Sequence, residues 1–76
     1  MTAARTSIYT AEEIITRLQK LGFIQKPRTG TSHVRLVHPD GRRVTVPIHK
    51  GEDVGRGLLR KILRDANVSP DEFAAL

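Results

Sequence analysis

Residues 32–49 read SHVRLVHPDGRRVTVPIH, and this stretch decides the fold. On each side of Pro39-Asp40-Gly41, apolar and polar residues alternate with a period of two. That period predicts a β-strand with one buried face. Proline followed by aspartate and glycine is typical of a tight turn. The stretch therefore predicts a β-hairpin over residues 32–49.

Two turns can close this hairpin, and they give different registers. A two-residue Asp40-Gly41 loop would mix polar and apolar residues on each face. A type I turn that begins at Pro39, with Gly41 left-handed, closes a three-residue loop. We favour the second turn because it collects the apolar residues on one face. The pairs it predicts are Ser32–Ile48, His33–Pro47, Val34–Val46, Arg35–Thr45, Leu36–Val44 and Val37–Arg43, with His49 diagonal to His33.

The segments around the hairpin predict helices. Residues 9–22 begin with a capping box and end at a glycine stop, and residues from 57 onward carry a second helical stripe that ends near Asn67. Ser69-Pro70 begins a short last helix. The apolar stripes are Ile14, Leu18 and Leu21, flanked by Ala11 and Ile15, and then Leu59, Ile62, Leu63 and Ala66. Between the helices and the hairpin, residues 23–25 predict a brief strand and residues 50–55 a charged loop.

The order of helix, three strands, helix and helical tail predicts an α+β fold. One antiparallel sheet has helices on one face and an open second face, which is a two-layer α-β-β-β-α sandwich with a short C-terminal helix. We expect residues 1–8 to be a flexible lead-in and residues 9–76 to form one domain. A chain of 76 residues buries only roughly 60% of its unfolded surface, so modest stability is expected.

Composition limits the class of partner. The net charge of +5, from 13 Lys and Arg against 8 Asp and Glu, favours nucleic acid or an acidic protein over a membrane surface. The scarcity of aromatic residues argues against binding single strands by stacking. The absence of cysteine excludes disulfides, and no apolar run has the length of a membrane span or a signal peptide. These features fit a cytoplasmic protein.

The chain resembles the HicA family of toxins, the RNA-cleaving half of HicA–HicB toxin–antitoxin pairs. The resemblance runs from residue 10 to residue 76 and rests on an ordered set of motifs. These are TAEEII at 10–15, LGF at 21–23, SH at 32–33, HPDGRRVTVP at 38–47, HKG at 49–51 and GLLRKIL at 57–63. It implies a fold like double-stranded-RNA-binding domains, endoribonuclease activity on mRNA and a HicB-like antitoxin partner.

The resemblance also assigns the catalytic residue. The family's one catalytic histidine follows a Gly-Ser pair in a strand, and His33 stands at the matching position. The sequence departs from the family pattern here, because Thr31 separates Gly30 from Ser32. His33 is the expected catalytic residue.

Ribonuclease chemistry explains why a histidine among cations suits this role. RNA carries its own nucleophile, the 2′-hydroxyl, so cleavage needs a base, an acid and positive charge near the phosphate, but no metal. Histidine exchanges a proton near neutral pH. Arg35 faces the same side two residues on and is expected to hold the phosphate. The residues expected to bind RNA are Arg28, Ser32, Arg35, Arg43, Lys50 and Arg60.

The other two histidines are weaker candidates for a catalytic role. His49 is either a second proton-transfer group or a structural residue, and His38 is expected to belong to the turn. The three histidines lack the spacing of zinc sites, so we predict no metal and no cofactor.

Two other functions fit the same composition. One is a double-stranded-RNA-binding-like module without chemistry. The other is a protein-interaction domain whose basic helix, with Arg56, Arg60 and Arg64 at intervals of four, docks an acidic partner. For the nuclease, we expect a monomer when free and a hetero-oligomer with the antitoxin.

Overall fold

The computed structural model describes residues 9–27, 32–48 and 52–76. Its elements are β1 (Tyr9–Thr10), α1 (Ala11–Lys20), β2 (Ile24–Gln25), β3 (His33–Val37), β4 (Arg43–Pro47), β5 (Asp53–Val54), α2 (Arg56–Ala66) and α3 (Pro70–Ala74). Strands β2, β3 and β4 form one antiparallel sheet in that order. The predicted α+β, α-β-β-β-α arrangement with a short C-terminal helix is confirmed. The lead-in predicted for residues 1–8 lies outside the described residues.

The hairpin adopts the register that places its apolar residues on one face. Residues 33–37 pair with residues 43–47 as predicted. The turn is closed by two backbone bonds, from the His38 N–H to the Arg42 carbonyl at 2.9 Å and from the Gly41 N–H to the His38 carbonyl at 2.8 Å. Gly41 has a φ of +102°, the conformation that the three-residue loop requires.

The helices and the inner face of the three-stranded sheet enclose a single hydrophobic core. Alternate residues of β3 and β4 are buried, and their neighbours are exposed or half-buried on the outer face. The buried residues of these elements are Val34, Leu36, Val44 and Val46 from the sheet, Ala11, Ile14, Ile15 and Leu18 from α1, Leu59, Ile62, Leu63 and Ala66 from α2, and Phe73 from α3. The helices therefore leave the outer face of the sheet uncovered.

The helix ends follow the predicted capping chemistry. Thr10 and Glu13 exchange both hydrogen bonds of a capping box at the start of α1. At its end, Gly22 has a φ of +103° and allows the Schellman pattern of backbone bonds. Asn67 closes α2 in the left-handed conformation, and the Ser69 hydroxyl accepts a bond at the start of α3.

A second, two-stranded sheet corrects two sequence predictions. The loop predicted for residues 50–55 contains strand β5, which pairs with β1 so that Tyr9 lies opposite Val54. Tyr9 and Thr10 are therefore strand, and α1 begins at Ala11 rather than at Tyr9. Two-residue strands have no periodicity of their own, so only the partner brought close by folding defines them.

A polar network ties the hairpin turn to the helices. The Arg42 guanidinium bonds the Asp40 carboxylate at 2.9 Å and donates to the Ala66 carbonyl at the end of α2. The Asp40 N–H donates to Nδ1 of His38 at 3.1 Å. Nδ1 also lies 3.0 Å from the Asp40 carboxylate, and Nε2 lies 3.1 Å from the Leu21 carbonyl, to which an Nε2–H donates. His38 fastens the turn to the end of α1, in agreement with its predicted turn role.

The Asp40 contacts predict how stability changes in acid. The hydrogen bond from the Arg42 side chain, together with one from the Arg42 backbone N–H, lowers the pKa of Asp40 from its ordinary value of 3.8. A lowered folded-state pKa adds stability above the unfolded-state value, and that contribution is lost as the pH falls through the folded-state value. We expect Asp40→Asn to lower the free energy of unfolding at pH 7 and to make its decline below pH 4 shallower. Urea unfolding at a series of pH values measures this, and equal acid slopes for both proteins would contradict it.

Candidate functional site

His33 is the first residue of β3 and is exposed on the outer face of the sheet. The hairpin register places it directly opposite Pro47 of β4, as predicted. Its neighbours in sequence, Ser32 and Val34, lie at the hairpin end and in the core respectively. Alternation along the strand therefore presents the imidazole on the side of the sheet that the helices leave open.

Two arginines share this outer face with His33. Arg35 is two residues further along β3 and is exposed opposite the exposed Thr45. Residues two apart in a strand are separated by roughly 7 Å, so the guanidinium of Arg35 reaches the space beside the imidazole. Arg43 is exposed in the next row, opposite Val37. The structure thus places His33, Arg35 and Arg43 of the predicted set on one face, in three successive rows of the sheet.

The structure adds Lys26, which the sequence did not reveal. The Lys26 N–H donates to the Arg35 carbonyl at 2.8 Å and continues the pairing of β2 with β3 by one residue. Lys26 is exposed and stands directly opposite Arg35, on the same face. Proline at position 27 marked the end of a strand, but it gave no register for pairing with β3. The backbone bond between Lys26 and Arg35, which the sequence alone does not predict, is what assigns Lys26 to the site.

The other predicted residues divide into three groups. Ser32 is exposed, and its carbonyl accepts a bond from the Ile48 N–H at 2.7 Å, which closes the open end of the hairpin. Arg28 and Lys50 lie outside the described residues, as do His49 and the Gly30-Thr31 pair. Arg60 is exposed on α2 in the helix layer, whereas His33 projects from the opposite face of the sheet. Arg60 is therefore not brought together with His33.

His38 differs from His33 in its surroundings. Its ring packs edge-on against Phe23, with centroids 5.1 Å apart, and both ring nitrogens face backbone partners. A β-carbon on Gly22 would lie 3.0 Å from its Nε2, so the ring would have to shift by a few tenths of an ångström, and the φ of +103° at this position also favours glycine. Of the two histidines that the structure describes, only His33 is presented on the outer face.

A shallow depression on the helix layer is a poor alternative site for a polyanion. It has a volume of about 280 Å³ and lies between α1 and the last residue of the chain. Its charged lining residues are two acids, Glu12 and Glu13, and two bases, Arg17 and Lys20. Because these charges cancel, the depression lacks the positive charge of the open sheet face, which is the better candidate site for a polyanion.

The outer face can support proton transfer beside a bound phosphate. Histidine accepts or donates a proton near neutral pH, and arginine and lysine supply donors and positive charge for phosphate oxygens. Within the described ranges, no three histidine, aspartate or glutamate side chains are grouped as metal ligands. The helices of those same ranges include none with the length and hydropathy needed to cross a membrane.

Comparison with protein families gives one match. Residues 11–68 match the family model described as the HicA toxin of bacterial toxin–antitoxin. The match begins at the first residue of α1, includes the whole three-stranded sheet and ends just after α2. No curated protein sequence matches the chain.

Proposed function

The chain belongs to the HicA toxin family, and from this membership we propose that it is an endoribonuclease that cleaves mRNA. Membership supports a toxin role, a general nuclease role and an antitoxin partner. The proposal goes further and makes His33 the catalytic residue. The observation that carries it is an exposed imidazole beside Arg35 on the open face of the sheet.

The reaction proposed is attack by the RNA on its own backbone. The 2′-oxygen forms a bond to the adjacent phosphorus while its proton leaves, and the bond from phosphorus to the 5′-oxygen breaks as that oxygen gains a proton. His33 carries one of these two proton transfers, as base when neutral or as acid when protonated. The other proton is exchanged with solvent or with a second side chain. The products are a 2′,3′-cyclic phosphate and a 5′-hydroxyl.

The cations of the site neutralise the negative charge that builds on the phosphate oxygens. Arg35 binds the phosphate oxygens beside His33, where a guanidinium can donate two parallel hydrogen bonds. We assign RNA binding to Arg43 on the same face, and also to Arg28, Ser32 and Lys50. Arg60 extends the positive field on the helix layer and contributes to affinity rather than to the chemical step.

We also propose that the site is regulated by an antitoxin that blocks it. A HicB-like antitoxin is proposed to cover the polar sheet face, because blocking His33 and the neighbouring cations would stop both binding and cleavage. The toxin is proposed to be a monomer when free and to form a hetero-oligomer with the antitoxin. It is proposed to act in the cytoplasm, where its proposed mRNA substrate is found.

The chemistry of the RNA ends separates this function from a binding module without chemistry. Purified protein is incubated with an unstructured RNA, and the fragments are tested for 2′,3′-cyclic phosphate and 5′-hydroxyl ends. The proposal expects both ends, and expects the antitoxin to suppress them. Stable RNA binding without fragments would favour the binding module, and binding to the antitoxin without any affinity for RNA at low salt would favour the protein-interaction domain.

Arg35 and Arg60 should differ in how their loss affects catalysis. We expect Arg35→Ala to lower kcat roughly 10- to 1000-fold, because a donor aimed at the developing charge acts on the transition state. Arg60→Ala removes the same charge from the helix layer, so it should raise KM modestly and leave kcat unchanged. Steady-state cleavage of one RNA by both variants measures the difference. Equal losses of kcat would contradict the placement of the site on the sheet.

A further inference from the structure

Lys26 and Arg35 form a pair of like charges on directly opposed strand positions. The backbone bond from the Lys26 N–H to the Arg35 carbonyl fixes this pairing, and both residues are exposed. Side chains on opposed positions of antiparallel strands have β-carbons roughly 5 Å apart. Two cations in this arrangement repel each other and destabilise the sheet unless an anion lies between them.

Within the part of the chain that the structure describes, no acidic side chain is paired with Lys26 or Arg35. The acidic residues of the chain are Glu12, Glu13, Asp40, Glu52, Asp53, Asp65, Asp71 and Glu72. They lie on the helices, in the hairpin turn or around β5, and none belongs to β2, β3 or β4. The outer face is consequently cationic and open to an external anion.

We propose that Lys26 and Arg35 together bind one phosphate group of the RNA, with Lys26 as a further substrate-binding residue. This inference rests on the proposed nuclease function for the identity of its ligand. RNA is favoured over an acidic segment of a protein because His33 lies on the same face, two residues from Arg35. The Arg35 guanidinium approaches the phosphate from β3, and the Lys26 ammonium approaches it from β2.

The register of β2 with β3 places Lys26 in a different row of the sheet from His33, so Lys26 contributes to RNA binding and not to proton transfer. Lys26 supplies charge and hydrogen-bond donors to the bound strand but does not lie in the His33 row of the sheet. Its loss should therefore weaken RNA binding and leave the proton-transfer group in place. The effect should depend on salt, because each neutralised phosphate releases counterions when RNA binds.

The test compares two lysines of equal charge at different places in the fold. Lys26→Ala and the control Lys20→Ala, on the helix layer, are each made in the full chain that carries His33→Ala. This background prevents cleavage while binding is measured. The probe is a fluorescent, unstructured, mixed-sequence RNA oligonucleotide titrated at several salt concentrations. Circular dichroism confirms that each variant is folded.

We expect Lys26→Ala to weaken RNA binding roughly tenfold at low salt and to reduce the salt slope by about 1. Lys20→Ala should change affinity less than about twofold, since it leaves the sheet face intact. Lys26→Arg should retain most of the affinity. Because both side chains are proposed to hold the same phosphate, Lys26→Ala with Arg35→Ala should lose less than the product of the two single losses.

Two results would overturn the inference. One is an equal effect of Lys26→Ala and Lys20→Ala on RNA affinity. The other is a loss of antitoxin binding by Lys26→Ala with RNA affinity unchanged, which would assign the pair to the protein interface. Cleavage by the unsubstituted protein is measured in parallel. If it cleaves RNA while Lys26→Ala has no effect, only this inference fails, whereas absence of cleavage and binding by the unsubstituted protein removes the proposed function itself.

Discussion

His33→Ala should abolish most RNA cleavage without unfolding the protein. Removal of a positioned general acid or base typically lowers the rate of the chemical step 10²- to 10⁴-fold, and we expect a loss of about this size. The free energy of unfolding should change little, because the His33 side chain is exposed outside the core. Cleavage rates from single-turnover assays and thermal unfolding of the same preparations measure both quantities.

His38 provides the matched control for that experiment. His38→Ala removes the ring that joins the hairpin turn to the Leu21 carbonyl and packs against Phe23, so it should lower stability. At a temperature where this variant is folded, its cleavage rate should stay near that of the unsubstituted protein. His33→Ala should thus lower the cleavage rate but not the stability, whereas His38→Ala should lower the stability but not the cleavage rate. Full cleavage activity in His33→Ala would refute the assignment of the catalytic residue.

Of the substitutions proposed here, Phe73→Ala should produce the largest loss of stability. Phe73 is 1% exposed in α3 and meets the Tyr9 ring edge-on, with centroids 5.2 Å apart. Truncation of a buried phenylalanine to alanine costs about 3–5 kcal/mol, because it removes apolar contacts and leaves a cavity. A domain of this size has few kcal/mol to lose, so we expect Tm to fall by roughly 15 °C or more. Calorimetry or circular dichroism measures the change.

Arg17 explains why this effect should extend beyond the lost ring. Its Nη1 donates to the carbonyls of Phe73, Ala74 and Leu76, at 3.1, 3.3 and 2.9 Å, and its guanidinium lies over the Tyr9 and Phe73 rings. The C-terminal helix is thereby held against α1 and β1. Phe73→Leu, which keeps most of the apolar volume, should cost clearly less than Phe73→Ala. Equal Tm values for Phe73→Ala and the unsubstituted protein would show that α3 does not stabilise the fold.

Local patterns were sufficient to predict the hairpin and the capping residues of the helices. The choice between two turns depended on which register collected Val34, Leu36, Val44 and Val46 on one face, and burial of that face is what selects the register. The capping box at Thr10 and Glu13 and the left-handed Asn67 are likewise determined by residues close in sequence. Each of these features has its cause within a few positions of the chain.

Contacts between distant segments could not be predicted in this way. The pairing of β1 with β5 joins residues 9–10 to residues 53–54, and neither segment shows a strand period. Position in the last turn of α1 explains why a cation such as Arg17 is favoured there, but its carbonyl partners lie more than 50 positions away. Lys26 could be assigned to the candidate site only from the observed register of β2 with β3. Such contacts depend on how the elements pack, which the sequence pattern does not specify.

The central claim is that the RNA supplies its own nucleophile and that His33, on the open cationic face, moves a proton for it. The most direct measurement uses two RNAs that differ only in the sugar at the cleaved bond, one with ribose and one with 2′-deoxyribose. We predict equal binding of both RNAs and cleavage at that bond in the ribose form alone. Cleavage of the deoxyribose bond at an undiminished rate would contradict it, because no 2′-hydroxyl would then be needed.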